Sequence, residues 1–430
     1  MTFLAREADR AFRSLRVRNY RLFFVGQIIS VSGTWMQSVG QAWLVLKLTG
    51  SGAAVGGVFA LQTLPFLFVG AWGGVIADRV SRRRFLVVTQ SAAAVLAAIL
   101  GALTLTGTVQ LWMVMTLAFM LGCVNVVDLP LRQAFVMEMV GKDTLTNAIS
   151  LNSVIMNGAR VVGPALAGLT IAWLGIAPTF FANATSYVAV IAALLMIRST
   201  DLFPTVPVAR ARGQLRAGIA YVWRNPALRT PLLMMAVIGT FAYEFTVSLP
   251  LLAQFTFHAG AAGFGVMSSM LGAGAVVGGL ITASRGRPTG RGLGIAAIAF
   301  GVLMLLAAGA PTYPLALLFL AGTGMASVTY AAFSNSTLQL NSDPQMRGRV
   351  MALYAVAFMG SAPIGGPLVG WIGQVANPRV ALAMGGASAV LTGIAAWRSL
   401  TKKATPASPA YRTSPRQPAP AQPQPASQPS

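Results

Sequence analysis

The run GGVIADRVSRRRFLVVTQSAAAVLAAILGALTL, Gly73 to Leu105, decides the fold. It places Arg79 and Arg82 to Arg84 directly before an uncharged apolar stretch from Phe85 to Leu105. A helix of about 20 such residues crosses a hydrocarbon layer roughly 30 Å thick. The connection after it, Thr106 to Gln110, carries no charge, and the next apolar stretch follows at once. Outward in both directions the same alternation recurs. Cations fall at Arg6 to Arg21, at Arg132 and Lys142, from Arg198 to Arg229, from Arg285 to Arg291, at Arg347 and Arg349, and from Arg398 to Arg416. The connections between these are nearly bare. Lys47 and Arg379 lie on the opposite side, and Arg160 lies well inside a stretch. Cationic loops stay cytoplasmic during insertion, so this asymmetry predicts a polytopic membrane protein with both termini cytoplasmic.

Twelve spans are expected, near 22–46, 53–77, 84–106, 109–131, 147–173, 177–197, 229–255, 260–284, 292–310, 313–338, 347–375 and 378–397. The composition agrees: 55% of residues are hydrophobic and 9% charged, where a soluble chain carries about 25% charged residues. The net charge of +22 argues for anionic lipid headgroups as partner. Nucleic-acid binding would need a basic face on a soluble domain. Cys123 stands alone, which excludes an intramolecular disulfide, and His258 reads as a solvated loop residue. The first apolar run is long enough to span and shows no small-residue cleavage site, so no cleavable signal is expected.

The chain divides into segments. Residues 1–21 set Leu4, Ala8, Phe12 and Leu15 on one helical face and Arg6, Arg10 and Arg13 on another, which suits either a helix lying on the inner leaflet or a basic tail. Residues 22–198 and 229–398 form two six-helix bundles, joined by a basic linker over 199–228 with Pro204 and Pro207. Residues 399–430, rich in Pro, Ser, Ala and Gln, read as a disordered tail. The halves echo each other. GPALAG, from Gly163 to Gly168, has its counterpart in GPLVG, from Gly366 to Gly370. GGVIADR at Gly73 is matched by GGLITASR at Gly278. Six spans repeated in parallel place a binding site between two bundles.

GVIADRVSRRRF resembles the loop signature of the major facilitator superfamily, Gly-x-x-x-Asp-Arg-x-Gly-Arg-Arg, with Gly74, Asp78, Arg79, Arg82 and Arg83 in place and Ser81 where a glycine is usual. DLPLRQAF, LTNAISLNS and ARVVGPALAG look like the branch of the enterobactin exporter and related drug:proton antiporters. The resemblance covers nearly the whole chain except the tail. It implies a twelve-helix major facilitator fold. It also implies a cytoplasmic latch in which Asp78 and Arg82 meet Asp128, with Gly74 at a close helix contact; the alternative is that the arginines only anchor the loop.

Polar stripes independently suggest a hydrated path. Gln27, Ser30, Thr34, Gln37 and Gln41 share one face of the first span, Thr323, Ser327, Tyr330, Ser334 and Thr337 one of the tenth, and Ser150, Ser153, Asn157 and Arg160 one of the fifth. Helix–helix hydrogen bonding is the competing explanation. Two ionisable residues fall near mid-membrane, where a charge needs a partner or water. Glu244 is the candidate proton carrier, while Arg160 would bind an anionic group, pair with a carboxylate or bond to backbone carbonyls. Phe241, Tyr243 and Phe245 offer an apolar wall. The sequence carries no Gly-x-x-x-x-Gly-Lys-Ser/Thr loop, no Cys/His cluster and no cofactor motif, so an ion gradient and not an enzymatic reaction is expected to supply the energy. The expectation is a proton-coupled exporter of a small amphiphilic compound in the inner membrane, working as a monomer with protons and lipids as its other partners. A nutrient importer of the same fold and a non-transporting receptor are the alternatives.

Overall fold

The computed structural model describes residues 12–79, 81–203, 214–284 and 289–401; the side chains of 69–79, 142, 214–216, 284 and 401 lie outside that description. The predicted N-terminal amphipathic face therefore falls outside it except for Phe12 to Arg21, and so does the tail beyond Thr401. Every described element is helical: α1 (Arg18–Thr49), α2 (Gly52–Arg79), α3 (Arg82–Leu105), α4 (Leu111–Gly141), α5 (Asp143–Leu174), α6 (Ala177–Met196), α7 (Gln214–Arg224), α8 (Pro226–Thr256), α9 (Gly260–Ser284), α10 (Gly290–Gly309), α11 (Tyr313–Leu340), α12 (Arg347–Val375) and α13 (Pro378–Thr401). Among the described residues ten helices are long and apolar enough to cross a membrane, and α2 adds an apolar run over Gly52–Phe68. At 32 residues, α1 is long enough, but its stripe of glutamines, serines and threonines lowers its hydropathy.

Two departures from the sequence reading have clear causes. The polar connection expected over 132–146 is helical apart from Gly141, whose φ of 68° breaks the path between α4 and α5. Leu131, Phe135, Val136, Met139 and Val140 recur at helical spacing and bury themselves against Tyr20, Phe23 and Leu86, so the apolar face carries α4 past its charged residues. The linker, in turn, contains α7. This helix docks Val222 and Tyr221 on Leu228, Leu338 and Val350, and Tyr221 Oη donates to Asp343 at 3.0 Å.

Helices α1 to α6 pack mainly on one another, as do α8 to α13. The two groups join along two seams, α5 on α9 and α2 on α12. Both seams set one of the echoed motifs against a glycine of the facing helix. A Cβ on Gly56 would stand 2.1 Å from the Gly366 carbonyl oxygen, one on Gly370 2.1 Å from that of Gly52, and one on Gly265 2.6 Å from that of Pro164. Only backbone against backbone allows such approach. Prolines shape the partner helices: α12 is interrupted at Gly360–Ser361, within the turn that precedes Pro363. Helix α8 is interrupted at Tyr243–Glu244.

Candidate functional site: a cavity between the halves

Between the two groups of helices lies a cavity of ≈ 430 Å³. From α1 it takes Trp35, Ser38, Gln41, Ala42 and Val45, from α2 Phe59 and Gln62, and from α5 Arg160 and Pro164. From the second half it takes Tyr243, Phe245 and Thr246, Phe264 and Ser268, Ser327 and Ala331, and Phe358. Trp35, Ser38, Ala42 and Val45 follow helical spacing, so the wall uses the face of α1 beside the glutamine stripe. Hydrogen bonds between described residues of the two halves run from Ser51 Oγ to Gln374 Oε1 (2.7 Å), from Ala53 N to the same oxygen (3.5 Å), and from Ser269 Oγ to the Val161 carbonyl (2.8 Å). A second cavity of ≈ 520 Å³ lies further along α1, around Trp43, Lys47, Ile176, Gln254 and Phe255. Trp43 on its wall stacks on Phe264 of the central cavity, with centroids 6.4 Å apart.

Of the expected cavity residues, the fold brings Gln41 and Arg160 to the wall. Gln41 Nε2 donates to Gln62 Oε1 at 3.2 Å. The Arg160 guanidinium lies 5.1 Å from the Trp35 ring centre, and its Nε is buried without a hydrogen-bond partner. Gln27 and Gln37 turn into the first half instead: Gln27 accepts from Arg132 at 2.8 Å and Gln37 from Asn183 at 2.7 Å. For these two, helix–helix bonding prevails because a neighbouring donor is within reach. Thr34 and Asn157 bond to carbonyls of their own helices, those of Ser30 and Ser153. Tyr330 and Ser334 are fully buried, Tyr330 stacking on Phe300 at 6.5 Å; the wall uses Ser327, Val328 and Ala331 on the adjacent face.

Glu244 is 3% exposed and sits at the break in α8, where its carbonyl accepts from the backbone amides of Val247 and Ser248. Tyr243, Phe245 and Thr246 face the cavity. The Glu244 carboxylate lies instead over α12, where a Cβ on Gly365 would stand 2.7 Å from Oε1. Its Oε2 has no hydrogen-bond partner among the described residues.

The charge cluster assigned by resemblance divides in two. Helix α2 runs through Gly74, Asp78 and Arg79, whose side chains lie outside the described residues. Arg82 pairs with Glu138 at 2.5 Å and not with Asp128. Asp128, ten residues earlier on α4, forms an ion pair with Arg132 and accepts from Thr89 Oγ1 (2.7 Å) and Gln90 Nε2 (2.8 Å). About 15 Å of helix rise separates the two carboxylates, so one arginine cannot serve both. Arg83 caps the end of α6 by donating to the carbonyls of Leu194 and Leu195 and to Ser199 Oγ. Arg132, read as a loop cation, is a helical partner of Asp128; its i+4 spacing was the available signal. Glu138 lies one turn before the glycine that ends α4, and no sequence motif singles it out.

Comparison with known proteins gives the same architecture. The family described as transmembrane secretion effector matches residues 10–423. The chain is 28% identical to the staphyloferrin A transporter of Staphylococcus aureus over 263 residues, 61% of this chain and 66% of that one. It is 26% identical to the multidrug efflux pump Tap of Mycolicibacterium fortuitum over 366 residues, covering 83% and 89%, and 24% identical to the enterobactin exporter EntS of Citrobacter koseri over 385 residues, covering 87% and 90%. Among solved structures, the nucleoside transporter NupG superposes with a TM-score of 0.69 over 90% of this chain and 100% of that one. At 13% identity that likeness concerns the fold alone.

Proposed function

Because the chain belongs to the transmembrane secretion effector family of major facilitator transporters, and is not an enzyme, we propose that it exports a small amphiphilic compound from the cell in exchange for protons. The observation that carries this reading is the central cavity walled by both halves and flanked by two glycine seams. Rocking about such seams exposes a midplane site alternately to either side. The hydrogen bonds between the halves at Ser51, Ala53 and Gln374 lie at the arginine-poor end, which supports an arrangement closed outward and open inward.

In this reading α1 to α6 and α8 to α13 supply twelve spans in two bundles, residues 22–198 and 229–398, within the inner membrane and with both termini cytoplasmic. One chain carries both bundles and works as a monomer. Glu244 carries the proton, its carboxyl held where α8 is broken and α12 is bare of side chains. Asp78 and Arg79, at the inner end of α2, belong to the inner gate, and the Arg82–Glu138 pair braces α3 against α4 beside it within the first half. Export, and not uptake, accords with the named activities of the relatives, a drug efflux pump and a siderophore exporter. The test is efflux in everted membrane vesicles: acidifying the lumen should drive accumulation of a fluorescent amphiphile, and a protonophore should abolish it. Accumulation indifferent to the protonophore would remove proton coupling. Uptake by whole cells in place of extrusion would reverse the direction.

A further inference from the structure

We infer that the cargo is an anionic amphiphile, an apolar or aromatic body bearing a carboxylate or a similar acidic group, held by Arg160. This rests on the export reading above and names the chemistry of its substrate. Among the described residues the central cavity is lined by a single cation, Arg160, and by no Asp or Glu. The guanidinium meets no hydrogen-bond acceptor or carboxylate among the described residues; its neighbour is the face of Trp35. Of the other donors on the wall, three are already engaged, Tyr243 with the Ser327 carbonyl at 2.7 Å, Ser38 with that of Thr34 at 3.0 Å and Ser327 with that of Gly324 at 2.8 Å, and the remaining ones, among them Gln62, Thr246 and Ser268, are neutral. An unpaired charge in so apolar a site is costly, and a bound anion offsets that cost. The planar fork of arginine matches a carboxylate through two parallel hydrogen bonds, while Phe59, Phe245 and Phe358 receive an apolar body.

The second cavity points the same way independently. Among the described residues it too is lined by one cation, Lys47, and by no carboxylate. Both cavities follow α1, and the Trp43–Phe264 stack stands between them. An anion leaving Arg160 therefore meets a second positive charge beyond the aromatic pair. A cationic amphiphile finds repulsion at both stations.

Dansylglycine, its primary amide and dansyl-ethylenediamine share one aromatic body and are anionic, neutral and cationic. Their fluorescence on titration with the purified full chain in nanodiscs measures binding. The carboxylate should bind about tenfold or more tighter than the cation, and Arg160→Gln should lower it to the level of the amide while leaving the amide unchanged. Arg160→Lys, which keeps the charge without the fork, should preserve the order of the three probes and lose part of the margin. Preference for the cation, absence of saturable carboxylate binding, or a preference that survives Arg160→Gln would each overturn the inference. Flux of the same probes in proteoliposomes separates it from the export reading. Movement of the cation alone sinks the inference and leaves export standing, whereas a persistent carboxylate preference without flux of any probe does the reverse.

Discussion

Trp43 and Phe264 stack across the interface between α1 and α9, with ring centroids 6.4 Å apart and planes inclined by 24°. Trp43 belongs to the wall of the outer cavity and Phe264 to that of the central one, so the pair forms the partition between them. Such a stack contributes about 0.5–1.5 kcal/mol beyond the area it buries, enough to hold a gate and little enough to release it. Trp43→Ala or Phe264→Ala should raise downhill leak of a fluorescent substrate from proteoliposomes severalfold and lower uphill accumulation, while Trp43→Phe keeps both near the parental values. Unchanged leak in the alanine variants would refute a gating role.

The α2–α12 seam gives a steric prediction with an internal control. A side chain at Gly56 meets the Gly366 carbonyl oxygen at 2.1 Å, whereas one at the adjacent Gly57 meets only the end of Met115, at 3.5 Å. Gly56→Val should force the halves apart at the end where Ser51 bonds to Gln374. With Ser51→Cys in a Cys123→Ser background, maleimide labelling should accelerate about tenfold in the Gly56→Val protein, because the barrier to opening has fallen by about 1.4 kcal/mol. Gly57→Val should label at the parental rate. Equal labelling of the two valine variants would show that the seam does not close this end.

The same seam shows what was legible in the sequence. The GPALAG and GPLVG echo marked two equivalent helices, because glycine and proline restrict backbone geometry wherever they stand. Their contact partners, Gly265 and Gly56, belong to no echoed motif and emerged only from packing. The alternation of arginines located the apolar stretches, and ten of the described helices are long and apolar enough to cross a membrane, whereas α4 runs ten residues past its expected end and α7 was not foreseen. The polar stripe on α1 was visible as a period, yet periodicity fixes a face and not its neighbour. Gln41 reached the cavity, while Gln37, one turn away, met Asn183. Arg82 likewise found Glu138 because α4 continues helically past Arg132, and that continuation depends on Phe135 and Met139 packing against α1 and α3.

Asp128 and Arg132 make a falsifiable case for a structural role in the first half. The carboxylate is 3% exposed and is shared among Arg132, Thr89 and Gln90, while Arg132 also reaches Gln27. Removing the Asp128 charge leaves the half-buried Arg132 without its counter-ion and deprives Thr89 and Gln90 of their acceptor, which costs about 1–3 kcal/mol. Asp128→Asn should therefore lower the melting temperature of the purified protein markedly, and Asp128→Asn combined with Arg132→Leu should recover a large part of the loss. Additive destabilisation in the double variant would show that the two side chains are not energetically coupled.

Glu244 admits a substitution that separates coupling from folding. Its Oε2 lies buried and without a hydrogen-bond partner, facing the bare glycine surface of α12. A glutamine fills the same volume and makes its remaining contacts through the backbone, where the Glu244 carbonyl already starts the outer segment of α8. Glu244→Gln should leave the melting temperature close to the parental value, with a change in stability within about 1 kcal/mol. It should also preserve exchange of labelled for unlabelled substrate across proteoliposomes, since exchange needs no net proton movement. Accumulation driven by a pH gradient should fall about tenfold or more, because an amide neither takes up nor releases a proton. If exchange and gradient-driven accumulation fell together, Glu244 would be a hinge residue of α8. If neither fell, the proton would travel through another group.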